Sequence, residues 1–186
     1  MDVKTAIQTR RAFRSLDPVA ISDEIISDLA ESANLAASCF NKQPWRFVFA
    51  RGRETLELLR AVFPAGNAWC HDAPMVIAVF GKKELDCVMK DGREYWQFDT
   101  GMAVGQMILR ATELGLVAHP IAGYDPDKVK EILGIPADMT VITLVNMGKH
   151  SAEPRATLSD DQKKGELARP PRQDFNKFAF IDRYTG

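Results

Sequence analysis

Between Pro74 and Lys82 the chain runs Met-Val-Ile-Ala-Val-Phe-Gly, with no polar side chain in the stretch. A strand with one wet face alternates polar and apolar residues, so this unbroken apolar run predicts a strand covered on both faces. Thr140 to Met147 is a second strand of similar richness, and the aromatic and β-branched content of Trp45 to Ala50 marks a third.

Helical periodicity and capping residues punctuate the rest. Asp2 caps a short helix through Val3 and Ile7 toward Arg10. Ser22 with Asp23 and Glu24 opens an amphipathic helix whose apolar face is Ile25, Ile26, Leu29, Ala30 and Ala33. A further face of Leu56, Leu59 and Val62 or Phe63 should stop before Pro64. From about Tyr95 to Leu114 runs a long helix, apolar almost all round between Gly101 and Leu109 and therefore expected to be buried, with Gly115 as its stop. Gly101, Ala103 and Gly105 leave room for another helix, from this chain's own core or from another chain. Asp125-Pro126-Asp127 opens a short helix that Gly134 and Pro136 end.

After Glu153 the composition turns charged and proline-bearing as far as Arg172, which reads as an arm. Phe175, Phe178, Phe180, Ile181 and Tyr184 then carry too much apolar surface for a solvated tail, so this end must pack, a second subunit being one candidate. Strands and helices mix without a βαβ rhythm. The expected fold is α+β, a mixed central sheet flanked by helices, in one domain spanning 1–186 with residues 170–186 as the arm.

A formal net charge of −1 speaks against a nucleic-acid partner, and no apolar run is long enough to span a membrane, so a cytoplasmic protein is expected. Cys39, Cys70 and Cys87 are odd in number and widely spaced, which predicts free thiols. His71, His119 and His150 lack ligand spacing, so no metal site is expected.

Three segments have the residue types for ligand binding. Arg10-Arg11-Ala12-Phe13-Arg14 read alone is a solvated basic face; the functional alternative is a phosphate clamp, since guanidinium offers paired donors that match phosphate oxygens. Ser38, Cys39, Asn41 and Gln43 form a polar loop between an apolar helix and an apolar strand. Its amides suit a heterocycle with donors and acceptors, although a plain turn into Gln43-Pro44 would use the same residues. His119 to Tyr124 lies in a connection where Gly123 permits close backbone approach. There is no G-x-G-x-x-G after a strand, no P-loop and no G-x-S-x-G elbow, which disfavours a Rossmann site, a P-loop NTPase and an α/β-hydrolase.

In this order and spacing, R-R-A-F-R, A-S-C-F-N-K-Q-P-W, H-D-A-P, D-T-G-M-A, E-L-G-L and P-I-A-G-Y-D resemble the nitroreductase family from about Ala6 to Gly148. The resemblance implies an intertwined homodimer that binds FMN. It also implies NADH or NADPH as hydride donor to the flavin, and a nitroaromatic, quinone or other small acceptor, with no side-chain acid or base nominated. It places Arg10, Arg11 and Ala12 at the phosphate and ribityl end and Arg14 at the pyrimidine edge. Pro120, Ile121, Ala122 and Gly123 would lie against the ring, Arg169 would return to the phosphate, and Asn67 would reach the pyrimidine. Ala37, Ser38, Cys39 and Asn41 would meet the flavin of the other subunit. Phe40, Trp69, Tyr95, Trp96 and Phe98 are candidates for the substrate side.

Ala12, Ala37, Cys39 and Ala122 depart from the serine, proline, serine and glutamate common in the family, which removes side-chain contacts but not backbone ones. The same fold also admits dehalogenation, flavin breakdown or simple flavin storage.

Overall fold

The computed structural model describes Met1 to Gly186. Its strands are β1 (Leu16–Asp17), β2 (Arg46–Ala50), β3 (Met75–Gly81), β4 (Val117–Ile121) and β5 (Thr140–His150), and its α-helices are α1 (Val3–Thr9), α2 (Asp23–Asn34), α3 (Arg53–Leu59), α4 (Trp96–Glu113), α5 (Pro126–Leu133) and α6 (Asp160–Leu167). β5 is the spine of the sheet. β3 runs along one side of it with β2 outside, while β4 and then β1 share the other side. Every pairing is antiparallel, so the sheet of the α+β fold is not mixed within the chain.

β3 is buried at all its positions, as its unbroken apolar run requires. Met75, Ile77 and Val79 point into a core with Leu29, Ala33, Ala103 and Met107 from α2 and α4. Val76, Ala78 and Phe80 point the other way, to Leu59, Trp69, Val129 and Leu16. Each large side chain so buried stabilises the fold by about 1.5–3 kcal/mol before conformational entropy is counted. Two-sided burial makes β3 the divider between the two cores. The Asp28 carboxylate and the Arg110 guanidinium, joined by bonds of 2.6–3.0 Å, pin α2 to α4 at the sheet's outer layer.

The caps behave as the sequence suggests. Asp2 and Ser22 accept from Thr5 and Ile25 amides, Asp125 precedes Pro126 at the start of α5, and Gly134 ends α5 at φ 65°. Gly115 closes α4 at φ 74°.

Four expectations need correction. α4 is not buried all round: Ala103, Met107 and Ala111 face the core, whereas Gly101, Gly105 and Gln106 are exposed and Phe98 is 64% exposed. The charged stretch from Glu153 to Arg172 is not all arm, because Ser159 and Gln162 form a capping box that starts α6. The segment from His119 is not only a connection, since it begins inside β4, and Pro120 is tolerated there because β4 pairs only with β5 and lies at an edge. The cysteines are not all free: Cys39 and Cys87 form a disulfide, leaving Cys70 as a buried thiol. Phe175, Phe178, Ile181 and Tyr184 remain exposed in the chain, touching only each other and Phe180 among aromatics. No helix is long and apolar enough to cross a membrane.

Candidate functional site

α1 ends at Thr9 with Arg10 as its C-cap, and residues 11–15 then cross toward β1 outside any helix or strand. α6 holds this crossing in place. The Glu166 carboxylate, 6% exposed, accepts the amides of Arg14 (2.8 Å) and Ser15 (3.1 Å), and the Arg11 guanidinium donates to the Gly165 carbonyl at 2.6 Å. Arg169, just past α6, donates to the carbonyls of Gln8 (2.8 Å) and Arg10 (2.5 Å).

The result is a cleft of about 180 Å³ lined by Arg10, Arg11, Ala12, Arg14, Arg169 and Arg172, together with Gly165 and Pro170. Arg10, Arg11, Arg14, Arg169 and Arg172 have no carboxylate partner; Arg51, Arg60, Arg93, Arg110 and Arg155 do, while Arg46, Arg53 and Arg183 lack one but do not cluster with another unpartnered arginine in this way. Burial and then repulsion from Arg169 and Arg172 hold the Arg10 guanidinium below its ordinary value. Two unit charges ~8 Å apart at an effective dielectric of ~20 repel by about 2 kcal/mol. Such a cluster is therefore most stable with an anion between its members.

Beside the cleft lies the end of β4. His119, buried, has Nδ1 at 2.9 Å from the Phe13 carbonyl, which can only accept, so Nδ1 carries the proton. Desolvation is the main cause that pushes this imidazole down to about 4, so it is neutral near pH 7. Its ring lies 4.6 Å from that of Trp69, and the Arg14 guanidinium sits 5.9 Å from the Trp69 ring centre. The Asn67 amide donates to the Gly123 carbonyl at 2.8 Å, and a Cβ on Gly123 would come within 2.7 Å of that amide nitrogen. Pro120, Ala122 and Gly123 are exposed and Ile121 half-buried. Contacts of Arg14 with Trp69, of Trp69 with Asn67 and of Asn67 with Gly123 thus link the surface of the arginine cleft to the turn at Pro120–Gly123.

Ala37, Ser38, Cys39 and Asn41 are not part of that surface. Their loop follows Ala36 and precedes Trp45, both packed in the core beneath α2 and α4, across the sheet from Phe13 and Trp69. No hydrogen bond connects it to the arginines. Phe40, Asn41 and Gln43 all take positive φ, a costly choice for side-chain-bearing residues. The Asp99 carboxylate accepts the Cys39 amide at 2.7 Å, Ser38 Oγ accepts the Gln43 amide at 3.0 Å, and the disulfide ties Cys39 down. Of the aromatics nominated for the substrate side, Trp69 and Trp96 are core residues, whereas Phe40 (84%) and Phe98 (64%) are exposed.

The sequence reading overlooked Glu166, Arg172 and Asn146. The Ser159–Gln162 capping box foreshadowed the helix that carries Glu166. Arg172 had no motif. Asn146, fully buried on β5 opposite His119, has neither amide atom hydrogen-bonded, and nothing in an apolar strand marks one polar residue as special.

Comparison with known proteins gives this arrangement a context. An Archaeoglobus fulgidus protein, provisionally named an NADH dehydrogenase/NAD(P)H nitroreductase, is 31% identical over 84% of this chain and 90% of its own. An iodotyrosine deiodinase of Haliscomenobacter hydrossis is 29% identical over 86% of this chain and 83% of its own. A crystal structure described as an oxidoreductase containing FMN superposes with a TM-score of 0.85 at 27% identity, covering 100% of this chain and 94% of the other. The sequence model of the nitroreductase family matches residues 7–65 and 62–149, from α1 across the cleft arginines to the last strand. The chain belongs to the nitroreductase family.

Proposed function

We propose that the protein is an FMN-dependent oxidoreductase that takes hydride from NADH or NADPH and delivers it to a small acceptor such as a nitroaromatic or a quinone. The observation that carries this reading is the cleft of arginines without carboxylate partners. A phosphate monoester is a dianion with several acceptor oxygens, which is what Arg10, Arg11 and Arg169 suit, with Ala12 offering backbone alone.

The rest of the surface fits the remainder of FMN. Pro120, Ile121, Ala122 and Gly123 present backbone to a flat ring, and Gly123 lacks the Cβ that would collide with the Asn67 amide, so Asn67 can sit against this turn. Asn67 offers an amide at the same edge. Arg14, beside Trp69, puts a cation where a pyrimidine edge would stand, which stabilises negative charge there. Bound FMN supplies a two-electron carrier, which no side chain of this family match could replace. The chain's own task is to bind, orient and exclude water.

Ala37, Ser38, Cys39 and Asn41 reach such a ligand only from a second chain, because their own chain places them across the sheet. A homodimer is supported by the exposed face of α4, where a Cβ on Gly101 or Gly105 would meet nothing within 4 Å, and by the exposed aromatics of the arm.

Reductive dehalogenation is a second reading, favoured by the similarity to a deiodinase. The segment between β3 and α4 has only a 3-10 turn at Lys83–Leu85 and a single bridge, Val88 to Glu94, so it offers little cover for a halogenated substrate.

Anaerobic addition of NADH or NADPH to the purified protein should abolish visible flavin absorbance, and a quinone or nitroaromatic should restore it. Arg10→Glu should weaken FMN binding without lowering the melting temperature of the FMN-free protein. A flavin that neither nucleotide bleaches points to storage and overturns the oxidoreductase reading; unchanged FMN affinity in the variant overturns the clamp.

A further inference from the structure

The strained loop contributes Cys39 to a second cluster, whose other two members, Asp86 and Cys87, the flavin reading does not use. The sulfurs of Cys39 and Cys87 and one carboxylate oxygen of Asp86 lie within 4.8 Å of one another. Asp86 is 7% exposed. Its Oδ1 accepts the Cys87 amide at 2.7 Å, but its Oδ2 is buried without any partner. A buried carboxylate oxygen left bare is costly, and disulfide sulfurs do nothing to relieve it. A cation would.

A zinc-class ion binds thiolate at about 2.3 Å and carboxylate at about 2.0–2.2 Å, so tetrahedral geometry sets the donors about 3.6–3.8 Å apart. The two sulfurs are bonded to each other with the carboxylate oxygen within 4.8 Å of both, so the sulfurs must move apart to reach that spread; the 6.1 Å between the Cys39 and Cys87 Cα atoms leaves both side chains room to turn toward one ion once the bond between them is open. Two thiolates and one carboxylate select a borderline-soft ion over magnesium or calcium.

We propose that Cys39, Cys87 and Asp86 form a zinc-class metal site in the dithiol state, and that the disulfide is the oxidised, metal-free state of the same site. Reduction by a dithiol or a phosphine adds two electrons to the disulfide, and two protons convert its sulfurs to thiols; a phosphine leaves as its oxide, with its oxygen and the two protons drawn from water. Metal binding then releases both thiol protons, leaving the fourth position to water. The loop that carries Cys39 is thereby anchored to the Asp86–Cys87 segment in either state: by the ion where thiols stay reduced, and by the bond where they do not. The proposal shares only Cys39 with the flavin reading, and its cobalt readout does not depend on bound flavin.

The test is a titration of the whole protein, reduced with a phosphine and desalted without oxygen, with Co²⁺ as a visible stand-in for zinc. The expected result is a thiolate-to-cobalt charge-transfer band that saturates at one equivalent per chain and collapses when zinc is added, with no band in the untreated disulfide form. Asp86→Asn should weaken cobalt binding at least ~10-fold, and Cys70→Ser should leave it unchanged. Absence of the band from reduced protein overturns the proposal, as does its persistence in Cys39→Ser/Cys87→Ser protein. Unchanged affinity in Asp86→Asn overturns the site as assigned. If the double variant does not fold, the comparison of oxidised with reduced wild-type protein decides alone.

Discussion

Glu166→Gln should destabilise the protein more than any surface charge removal, because one buried carboxylate fixes the turn that positions the cleft. Its two oxygens accept the Arg14 amide at 2.8 Å and the Ser15 amide at 3.1 Å, with the side chain almost fully enclosed. Hydrogen bonds to a charged acceptor contribute about 1.5–3 kcal/mol each, and a buried donor left unpaired costs about 1–3 kcal/mol. Glutamine keeps one carbonyl for one of the amides and turns an NH₂ toward the other. The net loss is about 2–4 kcal/mol. At roughly 2–4 °C per kcal/mol for a chain of this size, the thermal midpoint should fall by roughly 5–15 °C. Calorimetric melts of wild type, Glu166→Gln and the exposed control Glu131→Gln measure it directly, the control being expected to stay within about 1 °C. If Glu166→Gln melts with the control, α6 does not hold the arginine segment and the reasoning fails.

Three other outcomes are expected. His119 is held at about 4 when folded against an ordinary 6.5, so the unfolded chain takes up the proton first; stability present above pH ~6.5 should be lost as pH falls toward ~4, by about 3 kcal/mol. Urea titrations across that window should show the extra slope in wild type and not in His119→Gln, and identical slopes would contradict it. Gly81→Ala puts a Cβ 2.9 Å from the Pro44 carbonyl oxygen, a backbone atom with little freedom to move, and should cost about 1–3 kcal/mol; an unchanged melt would refute the close approach. A Cβ at Gly105 meets nothing within 4 Å, so Gly105→Leu should preserve the fold while shifting sedimentation toward monomer, and an equally stable dimer would remove α4 from the interface.

What the sequence made legible follows from local chemistry. Asp125-Pro126 and Gly134 delimit α5 by themselves, and the apolar run of β3 announces its two covers, because each signal is written in adjacent residues. Leu16–Asp17 is too short a strand for any period, and β4 contains His119 and Pro120, residues that only an edge position excuses. α6 has no apolar stripe, since it is held by Glu166 reaching backward and by Gln162 donating to the Gly66 carbonyl at 3.0 Å. Cys39 and Cys87 lie 48 residues apart, and only the fold brings them together.

The same distinction separates the parts of the site. Arg10, Arg11 and Arg14 stood out as a run, whereas their lack of carboxylate partners is a property of where Glu166 and the other acids point. Trp69 and Trp96 illustrate the opposite limit. An aromatic suited to stacking on a ligand is equally suited to a core, and burial alone assigns both to the core.

The claim that the arginine cleft holds FMN is tested most directly by denaturing the purified protein in acid and identifying and counting what is released. The account requires a yellow protein that yields FMN at one molecule per chain, directly or after reconstitution with FMN. A colourless protein that takes up no FMN when it is supplied would contradict it.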